Sequence, residues 1–252
     1  MRSTPLILKA SRLNKHFGGL HATKNLDLEL GEGDKFAIIG PNGAGKSTFF
    51  NLLTGYHRVD SGHIHFDDRD ITNAPPHHIA RMGISRAFQI SNIFPKLTVL
   101  ENVRSAVQAQ LGVSFRLWVS AARIGIDETE RILLLCDLAE NREASAGDLS
   151  QGDKKKLELA IALAGKPRLL LLDEPTAGMS TEETRVTMQL VDRLNDELNL
   201  TILFTEHDMA VVFNHAHRVA LLHYGQIIVE GNPEEVRQNE LVKRIYLGEE
   251  NA

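Results

Sequence analysis

Leu26, Leu28 and Leu30 alternate with Asp27 and Glu29, the two-residue period of a strand with one buried face. Positions 35–39 form a short apolar run that stops at Gly40, which predicts a buried strand, and 46–53 predicts a helix stopped by Gly55. Another strand is predicted at 63–66. A short helix is predicted at 75–82, with proline near its start and Gly83 just past its end. From about 97 to 165 the spacing turns helical, with helices over 98–110, 127–138 and 150–164. Leu169 to Leu172 is an unbroken leucine run after Pro167, too short and abrupt for a helix, and predicts a core strand. The elements then alternate: a helix over 181–197, a strand over 201–205, a short helix, and a strand over 219–223 that turns at Tyr224 and Gly225 into a strand over 226–230. This order predicts one α/β domain over 1–252, β-rich towards its N-terminus, with a helical subdomain inserted at roughly 90–165.

The chain has 252 residues, enough for a sizeable core, and its 42% hydrophobic and 24% charged content is that of a globular protein. A net charge of -5 argues against a general nucleic-acid binder, which needs a basic face, and leaves room for a local nucleotide pocket. Cys136 is the only cysteine, so no internal disulfide forms; it lies in an apolar run and reads as a buried helix residue. Met1 to Ala10 carries no apolar stretch of the secretory kind, and no run of about 18 apolar residues occurs, so membrane work is expected to pass through a partner.

The strand at 35–39 runs into Gly40-Pro41-Asn42-Gly43-Ala44-Gly45-Lys46-Ser47, followed by Thr48, which fits G-x-x-x-x-G-K-[ST] at every fixed position. A triphosphate is held best by many N–H donors converging on its oxygens, and a tight loop supplies them only where side chains are absent. Gly43 and Gly45 permit that approach and a positive φ. Lys46 adds a cation for the outer phosphates, the helix beginning there aims its positive end at them, and Ser47 offers a hydroxyl to Mg²⁺. Asp173 and Glu174 close the leucine strand at its carboxyl end, where ligands sit in open α/β sheets. Asp173 is expected to hold Mg²⁺ directly or through water. Side-chain alternation is expected to turn Glu174 to the opposite side, placed to take a proton from an attacking water or to orient it.

Five further motifs give the chain a specific likeness. Leu149-Ser150-Gln151-Gly152-Asp153 opens a helix before the Asp173 strand and resembles the signature of the ATP-binding cassette (ABC) family, usually LSGGQ. Gln89 resembles that family's Q-loop glutamine, His207 its switch histidine, and Phe17 the aromatic that stacks on adenine; residues 177–180 take the D-loop position. All occur in family order across about 6–248. Gln151 stands where the family has glycine, Asp153 where it has glutamine, and Ser180 where the D-loop ends in aspartate. The resemblance implies a P-loop NTPase core in an ABC ATPase, with ATP and Mg²⁺ as cofactors. It also implies head-to-tail pairing with a second, identical or related ATPase subunit. Ser150, Gln151 and Gly152 would then meet the partner's ATP through an anion site that nothing in their own subunit needs. Gln89 would contact Mg²⁺ or water, and His207 the γ-phosphate.

Within the family, Phe17-Gly18-Gly19-Leu20, the insertion at 111–126, Glu206-His207-Asp208-Met209 and Tyr246-Leu247-Gly248-Glu249 are similar to the ATPases of branched-chain amino acid importers. Two membrane permease subunits, an external solute-binding protein and a place on the cytoplasmic face of the membrane follow from that likeness. The 111–126 insertion either packs on the membrane partner or completes the core of its lobe. Lipopolysaccharide-export ATPases share the tail but are shorter in that lobe, and related importers carry urea or amides. A soluble cassette acting on DNA or ribosomes would bring a second cassette, coiled coils or basic extensions, and a GTPase would bring N-K-x-D; the sequence has none of these.

Overall fold

The computed structural model describes residues 5–87, 93–112 and 124–246. Gln89, most of the 111–126 insertion and the 247–249 tail lie outside them.

The leucine alternation belongs to a long strand, β2 (Leu20–Gly31), which forms a hairpin with β1 (Leu6–Phe17). With β4 (Ser61–Phe66) and β5 (Arg69–Asp70) these make an antiparallel sheet ordered β2-β1-β4-β5. β1 shows no clean period because its pairing with β2 slips register between Ala10 and Leu13, Leu13 and Lys15, and Lys15 and His16.

A second sheet is ordered β10-β9-β3-β8-β7-β6. It comprises β3 (Lys35–Ile39), β6 (Ile84–Ala87), β7 (Leu169–Asp173), β8 (Thr201–Thr205), β9 (Arg218–His223) and β10 (Gln226–Gly231). Neighbours from β9 to β6 run parallel, and β10 returns antiparallel. Every residue of β3, β7 and β8 is buried, which explains their unbroken apolar runs: a parallel sheet is covered on both faces. Alternate side chains feed two cores. Phe36, Ile38, Leu171 and Leu203 join the first sheet and α1 (Lys46–Leu53); Ala37, Ile39, Leu172 and Phe204 join the helices on the other face.

Those helices include α3 (Val99–Gln110), α4 (Ile126–Leu135) and α5 (Gln151–Leu163) from the inserted segment, then α6 (Thr181–Leu198) and α7 (Met209–His215); α2 (Pro76–Met82) precedes β6. Thr98 and Glu101 start α3 with a reciprocal capping box, and Ser180 and Glu183 do the same for α6. Cys136 caps α4 as a buried residue whose thiol burial pushes up to about 12, which makes it inert. Two short helices not read from the pattern, α8 (Pro233–Gln238) and α9 (Glu240–Tyr246), close the described chain. Among the described residues no helix is long and apolar enough to cross a membrane.

Candidate nucleotide-binding site

β3 is central in its sheet, so it delivers Gly40 between the ends of its neighbours β8 and β9. Pro41 to Ala44 turn on an Ala44 N–H to Pro41 O bond of 3.1 Å, and Gly45 caps α1 at φ 111 with no side-chain cap. The first N–H groups of a helix have no partner inside it, so those of Lys46, Ser47 and Thr48 are left for an anion. A methyl group on Gly45 would meet the Ala22 carbonyl at 2.5 Å, so β2 backs the loop. At Gly43 (φ 80) an added carbon would meet nothing within 4 Å: the space above the loop is open. Asn42 and Ser47 are exposed there. The Tyr246 hydroxyl accepts a hydrogen bond from the Gly40 N–H, which ties α9 to the start of the loop. Lys46 lies only 7% exposed, its ammonium donating to the carbonyls of Gly40 (2.5 Å) and Pro41 (3.3 Å). Burial lowers its pKa, and the carboxylates of Glu174 and Asp173 push it back up.

Asp173 ends β7 directly beside Thr205 at the end of β8. The Thr205 hydroxyl donates to one Asp173 oxygen at 2.7 Å, and an Arg86 guanidinium nitrogen on β6 donates to the other at 2.6 Å. The strand stops there. Glu174 takes φ 53 and its N–H bonds the Thr205 carbonyl (3.1 Å) and hydroxyl (3.2 Å), so a left-handed turn, not the pleat, aims its side chain. This turn, not strand alternation, sets where Glu174 points, and its carboxylate and that of Asp173 both act on Lys46. Glu174 Oε1 lies 2.9 Å from His207 Nε2. No sequence motif gives Thr205 or Arg86 a role, and Glu206 enters only as part of the importer-like run at 206–209. Glu206 is buried and accepts from the Thr176 N–H (2.8 Å), the Thr176 hydroxyl (2.6 Å) and the His207 N–H (3.1 Å), pinning the turn after Glu174 to the turn that carries His207. Changing Glu206 to alanine strands the Thr176 donors inside. We expect a loss of about 1–3 kcal/mol, seen as a lower urea midpoint at unchanged slope. An unmoved midpoint would mean that the carboxylate has no share in holding these turns.

The donor set fits a nucleotide with magnesium. Among the described residues no group of three or more His, Cys, Asp or Glu side chains gathers as a metal cage. An exposed serine hydroxyl at an uncapped helix start, with a single strand-end carboxylate that acts on the neighbouring Lys46, instead suits an ion that keeps its waters and shares phosphate oxygens. Ser47 and Asp173 would hold it, and it would supply charge neutralisation for the outer phosphates.

Phe17 ends β1 exposed, with the His57 ring edge-on at 5.1 Å and the Lys15 ammonium 5.5 Å from its centroid. Ser150 is the N-cap of α5, and Gln151 and Gly152 open that helix. Among the described residues none of the three bonds the phosphate loop. The expectation that their anion site has no use at home requires correction. The Ser150 hydroxyl accepts from the Asp153 N–H (3.1 Å) and donates to its carboxylate (2.9 Å). Glu183, held below the usual carboxylate pKa mainly by the Ser180 N–H and hydroxyl, stands beside Gly152, where an added carbon would meet its Oε1 at 3.6 Å. One acidic side chain of the same chain thus takes the Ser150 hydroxyl, and a second lies next to Gly152. Ser180 is the N-cap of α6, a place where serine and aspartate serve equally, which accounts for its departure from the family pattern.

A parallel sheet with a phosphate loop at its central strand and a strand-end carboxylate pair beside it defines a P-loop nucleoside triphosphatase. The ABC transporter family model matches residues 23–177, and that of the branched-chain amino acid ATP-binding cassette transporter C-terminal region matches 226–252. The chain is 38% identical to the high-affinity branched-chain amino acid transport ATP-binding protein LivG of Salmonella typhimurium, over 98% of this chain and 99% of that one. An ABC transporter ATP-binding cassette solved in its ADP conformation superposes with a TM-score of 0.87 at 32% identity, covering 98% of this chain and 100% of the other. A dimeric cassette bound to ADP and phosphate gives 0.76 at 26% identity, covering 90% and 99%. The chain belongs to the ABC transporter family and is an ATP-binding cassette ATPase.

Proposed function

We propose that this chain powers a membrane importer of branched-chain or closely similar amino acids by hydrolysing ATP with Mg²⁺ at the cytoplasmic face. The observation that carries the solute class is the likeness to transport ATPases of that kind along the whole chain, including the separate match at 226–252. Lys46, the N–H groups of the phosphate loop and Ser47 hold the triphosphate, with Phe17 against the adenine. Asp173, Ser47 and Gln89 serve the metal. Glu174 receives the proton of the attacking water, with His207 beside it to meet the γ-phosphate. Since phosphoryl transfer is mostly positioning and charge stabilisation, a site divided between two chains makes hydrolysis wait for closure. Closure head to tail sets Ser150, Gln151 and Gly152 of one subunit on the other's ATP, and the acidic contacts of Asp153 and Glu183 give way to phosphate oxygens. The second subunit is identical or related.

Two permease subunits anchor the pair to the membrane, and an external solute-binding protein delivers cargo to them. A cavity of about 850 Å³ between the sheet edge and the inserted helices, walled by Ile79, Ala87, Ala106 and Ile161 next to the strand that leads to Gln89, gives a permease segment a seat. Purifying the tagged chain from detergent-solubilised membranes tests the reading. Two integral membrane subunits and a second cassette are expected with it, and cells lacking the chain are expected to lose high-affinity uptake of labelled leucine, isoleucine and valine. Retained leucine uptake with lost urea uptake would reassign the cargo.

A further inference from the structure

Arg86 stands where the established activity assigns no residue. It lies on β6, two strands from the phosphate loop strand's neighbour β8, and its side chain is only 13% exposed against 9% for Asp173. One guanidinium nitrogen donates to Asp173 at 2.6 Å and another to the Asn51 side-chain oxygen on α1 at 2.6 Å, with the Phe50 ring 5.5 Å beneath the guanidinium carbon. The third nitrogen, Nε, is buried with no hydrogen-bond partner. A structural guanidinium at this depth normally fills its donors. This one is held by two of its groups, while Arg86 and Asn51 both line the 850 Å³ cavity, which leaves space into which the head can withdraw.

We infer that Arg86 is a positioning residue that acts as the resident counter-ion of Asp173, occupying its outer oxygen until a magnesium-bearing nucleotide displaces it, and so sets how much magnesium the site requires. The physical argument is competition. With Thr205 donating to one oxygen and Arg86 to the other, the carboxylate is neutralised before any metal arrives. A guanidinium nitrogen 2.6 Å from that oxygen opposes a second cation on the same atom. Asp173 thus avoids standing as a bare buried charge in the nucleotide-free protein, at the cost of a weaker hold on the metal. The inference rests on the magnesium assignment above.

The test is a titration of magnesium into protein with ADP, which is not consumed, following ADP affinity for the intact chain, Arg86→Gln and Arg86→Lys. Arg86→Gln is expected to reach half-effect at roughly ten-fold less magnesium, since one competing cation is removed from the oxygen that the metal must share. Arg86→Lys keeps the charge and is expected to stay near the unaltered chain. Thermal melting adds a second readout: magnesium with ADP is expected to raise the glutamine variant by more than it raises the unaltered protein, a difference that lost packing alone would not produce. Equal or higher magnesium demand in a folded Arg86→Gln would overturn the inference. If that variant does not fold, the side-chain nitrogen signals of ¹⁵N-arginine-labelled unaltered protein decide. The Arg86 resonance is expected to shift with magnesium plus ADP and not with ADP alone, and an unmoved resonance sinks the idea. An unaltered protein whose ADP affinity ignores magnesium would remove the metal assignment itself, and this inference with it.

Discussion

Changing Glu174 to glutamine is expected to cut ATP turnover by about 10²–10⁴-fold, the range attributed to a lost general base, while ATP binding persists. The fold holds this side chain from both ends. Its backbone N–H is fixed on Thr205 by two bonds, and its carboxylate meets His207 at 2.9 Å. Glutamine keeps the length of the side chain and a group able to bond His207, but it accepts no proton from water. It also removes a negative charge from the neighbourhood of the outer phosphates, so the affinity for ATP is expected to hold or rise. Two subunits closed over uncleaved ATP are then expected to persist. Single-turnover phosphate release reads the first effect, an ATP titration the second, and gel filtration with and without ATP the third. Phosphate release at the unaltered rate would remove Glu174 from the chemistry.

The parts of this site that were legible in the sequence are those in which neighbours along the chain are neighbours in space. Gly40 to Thr48 form their cradle almost alone, and Asp173 with Glu174 announce themselves by ending an apolar run. Thr205, Arg86 and Glu206 could not be found that way, because strand register brings the first two to Asp173 and the packing of two turns brings Glu206 to Thr176. Arg86 lies 87 positions from the carboxylate that it pairs with. A polar residue at the tip of an apolar strand was the one available signal, and Thr205 carries it after Ile202, Leu203 and Phe204. Glu174 shows a different failure. The alternation rule was applied one residue beyond the end of the strand, where a left-handed φ takes over. The helix starts of the C-terminal region were readable and overlooked, since Asn232, Pro233 and Glu235 make a capping box with proline in the first turn. Ser150 and Gly152 were read as donors awaiting a partner. The Ser150–Asp153 pair is local, an N-cap serine three residues before an acid, whereas the approach of Glu183 to Gly152 depends on α5 and α6 lying together, which no local pattern expresses.

Lys46→Ala carries the second large effect, and its origin lies in what the ammonium does before nucleotide arrives. It is folded back on the loop, sharing the carbonyls of Gly40 and Pro41, and it feels the carboxylates of Glu174 and Asp173. Burial disfavours its charge, so an incoming phosphate exchanges neutral carbonyl acceptors for anionic ones at a cation that is poorly hydrated. A hydrogen bond to a charged group contributes about 1.5–3 kcal/mol, which corresponds to roughly 10- to 150-fold in Kd. Calorimetric titration of ATP into the alanine variant is expected to show at least the lower figure, with hydrolysis lost in proportion. The variant also frees two loop carbonyls, so its unfolding midpoint must be measured alongside to separate a weakened cradle from a weakened fold. An alanine variant that folds normally and binds ATP with unaltered affinity would take the lysine out of phosphate binding. The helix N-terminus and the loop N–H groups would then have to hold the triphosphate without it, which their uncapped donors favour but their lack of net charge opposes.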